Sequence, residues 1–574
     1  MASRLFFNGQ SYSTPTTVSD VQDTAEAPQS SPVGNAVVFV GSCTGGKPQT
    51  VLTFDNPDDA EAALISGDLC TAAVKAFSAS TDEAISAPGT IMVVRIDEAI
   101  PAVLTLMDAL DHPSIVVTST QYGLPGTQTQ IKVESGSELG SLVSVEVGNS
   151  YASEDNIANT PFVVSYTGTG ASAQAAIVNG AFVLYAPTGA AVATLPFTQF
   201  PTCDLLSNAI NAVVGFSSTP ASTAPNTATA NLDPLAAADC KTTPLSVTAN
   251  IQAIVDWLNS NGDPYSTAVK APGAQQVPAN IPWTSLVGAA PVVPTVTDWT
   301  NAIDLLETID VQWVSVLTGN PAIHAAIDAH VQYMSTIAKE ERRAFVGPAL
   351  GTSIAQAQVL PANINSDRTA LCFPGYVDYD ANGKLVTLAS YMTAALSAAC
   401  FAGMAPGDAL TNKTMSVRGW ELILRDPADT DVLIQSGVMC FESTKQGYKC
   451  VRSISTWLQN NNYNRVEVSC GAATDYVTRT VREACDPLRG TRGTPILLGQ
   501  YIAAVEGALM ACAVPQPQGP GVIVGDANSP AYQGIDATLN GDVVAIQYQC
   551  SPVVPNNFTD ITENIVPYSG TASA

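Results

Sequence analysis

At 574 residues the chain has the length of roughly three to five domains, which excludes a single small module. Charged residues make up only 13% of it against the usual share of about 25%, while the hydrophobic share is 46%, so its surface is short of charge and suited to assembly rather than to a free monomer. A formal net charge of -27 excludes a general nucleic-acid binder, although residues 413–492 hold 11 of the 23 Lys and Arg and form a local cationic stretch.

The start, MASRLFFNGQSYSTP, lacks the apolar run of a signal peptide, so a protein made and soluble in a cytoplasm is expected. Residues 1–32, rich in Ser, Thr, Pro, Gln and Asp, read as an extended arm. The apolar run Asn35 to Val40 ending at Gly41 predicts a buried strand, Asn56 to Phe77 a helical stretch, and Ile91 to Ile96 a second strand. From 101 to 235, short runs rich in Val, Ile, Thr and Tyr between Gly, Pro, Asn and Ser predict an inserted all-β, sandwich-like domain, with 217–246 as its exit linker. From 247 to 435 strands and helices alternate. Asp298 can cap a helix bearing Trp299, Ala302, Ile303 and Leu306, and Val311 to Leu317 follows as a strand. Asn320-Pro321 opens a helix with Ile323, Ile327, His330, Met334 and Ile337 on one side. Strands at 344–347 and 370–374 and a buried core helix at 388–404 complete a βαβ rhythm that implies a parallel sheet. The last part, 436–552, is α+β, with helices at 473–485 and 495–512 and an alternating strand at 542–549. Residues 553–574 form a tail with no packing partner of their own.

Gly41-Ser-Cys-Thr-Gly-Gly46-Lys47-Pro48 nearly spells a phosphate-binding loop, but Pro48 brings neither the hydroxyl that ligates Mg²⁺ nor a backbone N–H, so it reads as a connecting loop. Gly351-Thr-Ser353-Ile-Ala355 resembles the nucleophile turn of subtilisin-type proteases, with Asp310 and His324 or His330 preceding it in that family's order. The flanking motifs are missing, and no catalysis is expected. His324 and His330, six apart on a helix, do not form an i, i+4 metal pair, and Glu340-Glu341-Arg342-Arg343 reads as a solvated helix end. The cysteines are Cys43, Cys70, Cys203, Cys240, Cys372, Cys400, Cys440, Cys450, Cys470, Cys485, Cys512 and Cys550. None is spaced C-x-x-C, so a metal site is disfavoured and buried small hydrophobes are the simplest reading.

Several segments, in order, resemble the tail sheath proteins of contractile, myovirus-type phage tails, relatives of pyocin and type VI secretion sheaths. They are Gly34 to Gly41, Phe54 to Ala60, Gly67-Asp68-Leu69, Asp298 to Ala302, Ala329-His-Val331, Arg343 to Gly347 and Asn365 to Gly375. Leu410 to Lys413, Ser436-Gly437-Val438, Val451 to Thr456 and Asp475 to Arg479 follow. The resemblance implies a multidomain α+β protein: an N-terminal linking arm (1–32), an N-terminal sheath segment (33–100), the inserted β domain (101–235) and a subtilisin-like α/β domain without protease activity (247–435). A tube-proximal C-terminal domain (436–552) and a C-terminal linking arm (553–574) complete it. It implies a structural virion protein and not an enzyme, with no cofactor, metal, nucleic acid or membrane insertion. Such a subunit polymerises into stacked hexameric rings by strand exchange through both arms, around a tail tube protein and between baseplate and neck or terminator proteins. Contraction would drive the tube through the host envelope and deliver the genome, in a virion tail assembled in the host cytoplasm. Arg479, Arg482, Arg489 and Arg492 are then candidates to face an acidic tube, and the twelve cysteines candidates for disulfides formed after lysis. The alternatives are another tail or baseplate component, or a subtilisin-type hydrolase.

Overall fold

A computed structural model describes residues 5–7, 10–12, 35–97, 99–221, 227–261, 265–288, 293–380, 383–568 and 570. Before the inserted region come β1 (Ala36–Gly41), β2 (Val51–Phe54), α1 (Pro57–Leu64), α2 (Asp68–Ala76) and β3 (Thr90–Arg95). After it come α3 (Val296–Asp304), β4 (Trp313–Val316), α4 (Pro321–Tyr333), β5 (Arg343–Val346), β6 (Thr369–Phe373), α5 (Ser390–Gly403), β7 (Val438–Thr444) and β8 (Gly447–Cys450). All eight strands form one sheet in the order β8-β7-β6-β5-β4-β1-β3-β2, parallel except for the outermost pair at each edge.

A sheet covered on both faces needs apolar residues at every position, and β1 reads Ala-Val-Val-Phe-Val-Gly. Val37 and Phe39 join the core under α1, α2 and α5, whereas Val38 and Val40 join the core under α3 and α4. On the first face Phe401 of α5 stacks on Trp313 of β4 with ring centroids 5.1 Å apart. Helix starts follow local chemistry: Asn56 and Asn320 cap α1 and α4 ahead of Pro57 and Pro321. At α3 the cap is Thr295, three residues earlier than expected, and Asp298 is the reciprocal partner of its capping box. Ile337 leaves the apolar face expected for it and is 66% exposed, because α4 ends in a π-helical turn, Met334–Ala338, that rotates later residues off the stripe.

This topology moves three expected boundaries. Segment 33–100 is not separate from the α/β domain, since β1 pairs with both β3 and β4, a non-local parallel pairing that leaves no local mark. The inserted region reaches about residue 288, not 235: strand 266–270 pairs with 113–122, strand 281–285 pairs with 129–135, and helix 250–260 packs Ile251, Ile254, Val255 and Leu258 onto the same core. The expected linker 217–246 contains strands 216–220 and 245–247, both paired with 162–166 around a second core that includes helix Cys203–Asn211. These Ser- and Thr-rich edge strands bury one face only, so their composition resembles a loop. With two helices, the region is not all-β.

Strands β7 and β8 lie in the central sheet, so the C-terminal unit begins only at α6 (Val468–Cys485). It continues with α7 (Pro495–Ala513) and the hairpin of β9 (Tyr532–Asn540) and β10 (Val543–Cys550). Helix α6 belongs to two cores, its start packing Val468 and Ala472 under the central sheet and its later turns packing Tyr476, Val477 and Val481 against α7. Helix α7 is long and apolar enough to cross a membrane by length and composition, and Leu497, Tyr501, Val505, Leu509 and Cys512 bury one side of it in the C-terminal unit. Of the expected N-terminal arm, Leu5–Phe7 pairs antiparallel with Gln10–Tyr12, and the remainder of 1–32 lies outside the described residues.

Candidate functional site

The two enzyme-like motifs are occupied by structural duties. In the loop after β1, the Arg95 guanidinium donates to the carbonyls of Thr44, Gly45 and Gly46 at 2.9–3.1 Å, while the amides of Thr44 and Gly45 bond to Ser66 and Leu64. A phosphate cradle needs inward amides, and this loop turns its carbonyls inward. Between β1 and β4, where the direction of strand order reverses and α/β ligands usually sit, Leu317 fills the space over Gly41, at which an added Cβ would lie 2.9 Å from it. Ser353 caps the short helix Ile354–Ala357, with its hydroxyl 2.9 Å from Gln356 Oε1. His324 is buried with Nε2 2.7 Å from the Thr318 carbonyl, and His330 is buried 3.2 Å from Arg342. Asp310 serves Arg479 instead of a histidine. Among the described residues, no group of three or more His, Cys, Asp or Glu is placed to hold a metal.

The basic stretch is split by the fold. Asp475, Arg479 and Arg482 lie on one face of α6, turned toward the ends of the central strands. Asp475 accepts from Arg343 at 2.9 and 3.0 Å and from Arg368 at 2.6 and 2.7 Å. Arg479, 6% exposed, reaches Asp310 at 3.0 Å and Glu341 at 3.3 Å. Burial depresses its pKa, but its bonds to Asp310 and Glu341 outweigh burial and raise it. Arg482, half-buried, bonds to Glu341 at 2.5 Å and to the Lys339 carbonyl. Arg479 is therefore not a surface charge, and its candidacy as a tube-facing residue is withdrawn. Arg482 is largely neutralised within the subunit. Arg489 and Arg492 remain exposed, Arg489 beside Asp486. Glu341, Arg342 and Arg343, expected on a solvated helix end, are buried: Glu341 and Arg343 find partners on α6 more than a hundred residues away, and Arg342 bonds to the Leu306 and Ile309 carbonyls, His330 and Glu340. Glu341 and Asp475 were not legible as site residues, since nothing local distinguishes a paired charge from a solvated one.

Arg489 borders a groove of about 830 Å³ between the α6–α7 turn and the hairpin, lined also by Leu488, Leu497, Leu539, Asp542 and Val543. Beyond the hairpin, residues 551–568 run on without helix or strand. Val553 packs on the C-terminal core, Asn557 donates to Glu467 at 2.9 Å, and Phe558 lies over Arg452. Ile561, Ile565, Val566 and Tyr568 then stand 82–97% exposed.

All twelve cysteines are free thiols, ten of them buried and only Cys485 and Cys550 partly exposed. Burial pushes the Cys43, Cys372 and Cys440 thiols up to about 12 and those of Cys70, Cys203, Cys240 and Cys470 up to about 11. For links between subunits the twelve candidates narrow to Cys485 and Cys550, since a buried thiol cannot reach a neighbouring subunit without unfolding.

No protein-family model matches the chain. It is similar to a tail sheath protein of Bacillus phage SP01, 26% identical over 582 aligned positions that cover 98% of this chain and 97% of the relative. In structure it resembles the sheath tail protein of Listeria innocua, with a TM-score of 0.53 and 13% identity over 92% of this chain and 94% of that one. The sheath tail protein of Desulfitobacterium hafniense matches with a TM-score of 0.50 and 11% identity over 94% of this chain and 99% of that one. The structural likeness carries the fold, and the sequence likeness to a phage tail sheath protein spans both chains nearly end to end.

Proposed function

We propose that this chain is the repeating subunit of a contractile phage tail sheath, and that its terminal segments join neighbouring subunits by strand addition. The observation that carries the reading is the tail from Phe558 to Tyr568. Five large apolar side chains project 82–97% exposed from a segment that its own subunit leaves uncovered, a configuration stable in water only until a partner covers it. Among the described residues the hairpin β9–β10 is a two-stranded sheet with no further strand paired to its outer edges, which could each accept one. Arms that bond through the main chain let subunits tilt without losing their neighbours, which supports a polymer of stacked hexameric rings. A metastable extended state held by a barrier then needs no nucleotide, in keeping with the inward carbonyls of the loop after β1. Arg489 and Arg492 are the candidates for contact with an acidic tube, and assembly in the host cytoplasm between baseplate and neck completes the reading.

Negative-stain microscopy of the purified full chain, alone and co-expressed with its tube protein, tests it against a chain ending at residue 558. The full chain should form striated tubes or stacked rings. The shortened chain should melt at the same temperature yet stay monomeric, and tubes of equal length from it would sink the arm reading.

A further inference from the structure

At the carboxyl edge of the central sheet two backbone amides converge on one carboxylate. The loops after β5 and β6 bring the backbone amides of Gly351 and Gly375 to one carboxylate, that of Glu421, with N–H donation to Oε1 at 2.6 Å and to Oε2 at 3.2 Å. Both donors are glycines for a geometric reason. Gly351 has φ +80°, a conformation costly for other residues, and a Cβ on Gly375 would stand 2.7 Å from Glu421 Oε2 and 2.2 Å from the Leu388 carbonyl. The glutamate arrives on a separate strap. Gly419–Trp420 pairs with Tyr376 and Val377, the Glu421 amide donates to the Gly375 carbonyl at 2.8 Å, and Trp420 anchors the strap by packing at a tilt against Phe441, with ring centroids 5.2 Å apart. Beyond the glutamate the strap turns outward, leaving Ile423 79% exposed.

We propose that these two amides form a carboxylate-binding site that the chain fills with its own Glu421. Two convergent amides at the carboxyl ends of parallel strands are the elements with which α/β folds hold anionic ligands, and here the ligand is covalently supplied. The Gly351 amide belongs to the segment that resembles a protease nucleophile turn, and its donor capacity is spent on Glu421. A free carboxylate of small size, acetate or formate, fits the same two donors once the side chain is removed.

The test is thermal unfolding of full-length Glu421→Ala, followed by tryptophan fluorescence, in sodium acetate and in sodium chloride of equal ionic strength. The variant should melt below the wild type, and acetate should raise its midpoint saturably by about 2 °C or more over chloride, with no such difference in the wild type. Equal midpoints in the two salts overturn the proposal. Should the alanine variant not fold, Glu421→Gln keeps one acceptor oxygen, and hydrogen exchange at Gly351 and Gly375 read by mass spectrometry takes its place. Faster exchange than wild type at both glycines supports the site, and unchanged exchange overturns it.

Discussion

Arg479 of α6 closes on Glu341 at 3.3 Å across 138 residues of chain, and the glutamate is only 5% exposed in its side chain. The same guanidinium holds Asp310 at 3.0 Å, whose side chain is 63% exposed. The two carboxylates differ in what is left behind when the arginine goes. Water can solvate Asp310, but Glu341 becomes a buried charge held only by the half-exposed Arg482. Arg479→Ala is therefore expected to cost about 3–5 kcal/mol, and Asp310→Asn less than about 1 kcal/mol, by urea denaturation. Equal costs would mean that the burial of Glu341 is irrelevant to the joint.

Gly471 is expected to resist replacement although it lies inside a helix. Gly→Ala in a helix interior ordinarily gains about 0.5–1 kcal/mol. A Cβ here would meet Arg343 Nη2 at 2.2 Å and Cζ at 2.6 Å. That guanidinium is buried and held by Asp475 at 2.9 Å and by the Asp367 carbonyl at 2.8 Å, so it can yield only by breaking those bonds. Gly471→Ala should destabilise the chain by about 1–3 kcal/mol, read as a lower denaturation midpoint. A stabilised variant would show that Arg343 is free to move.

The contrast between these residues explains what the sequence could and could not disclose. Local periodicity, caps and turn residues were legible: β1, β3, α4, α5 and α7 fall within a few residues of their expected places because each is specified by its own side chains. Partners across the sheet were not. The pairing of β1 with β4 joins residues more than 270 positions apart, and the pairing of 266–270 with 113–122 carried the insertion past its expected end. Glu341 and Arg343 failed for the same reason, since their burial depends on distant counter-charges, Arg479 and Asp475. The resemblance to sheath proteins survived these errors because ordered short segments do not depend on where domains are cut.

Thiol chemistry should separate two cysteines from ten. Cys485 and Cys550 are partly exposed and the others buried, with burial raising the thiols of both groups. A maleimide pulse on the native monomer near pH 8, followed by peptide mass spectrometry, should label Cys485 and Cys550 first and Cys372 and Cys400 only after denaturant is added. Labelling of Cys372 or Cys400 at the same rate as Cys550 would mean that the α5 face of the sheet opens in the native state. The same two partly exposed residues should account for any dimer seen on non-reducing gels, and Cys485→Ser with Cys550→Ser should remove it.

His330 supplies a pH dependence with a definite sign. It sits at the buried end of α4 with Nε2 3.2 Å from Arg342 Nη1, and Arg342 in turn holds Glu340 at 2.8 Å. Burial, and then the positive charge of Arg342, push its pKa from the ordinary 6.5 down to about 4. The folded imidazole therefore refuses a proton that the unfolded chain accepts between those two values. Its stabilising contribution is complete above pH 6.5, falls as the pH drops toward 4, and stays lost below that. The difference amounts to about 2 kcal/mol by pH 5 and about 3 kcal/mol at the acid limit. His324, depressed by burial, acts in the same direction, whereas Asp328 and Glu467, whose carboxyls burial raises, act in the opposite one. The clean measurement is thus a comparison, with urea denaturation of wild type and His330→Asn at pH 7.5 and 5. The asparagine can still accept from Arg342 but has no proton to gain, so the variant should lose about 2 kcal/mol less than the wild type over that interval. Parallel losses in the two proteins would mean that His330 is protonated in the folded state and that Arg342 has moved away from it.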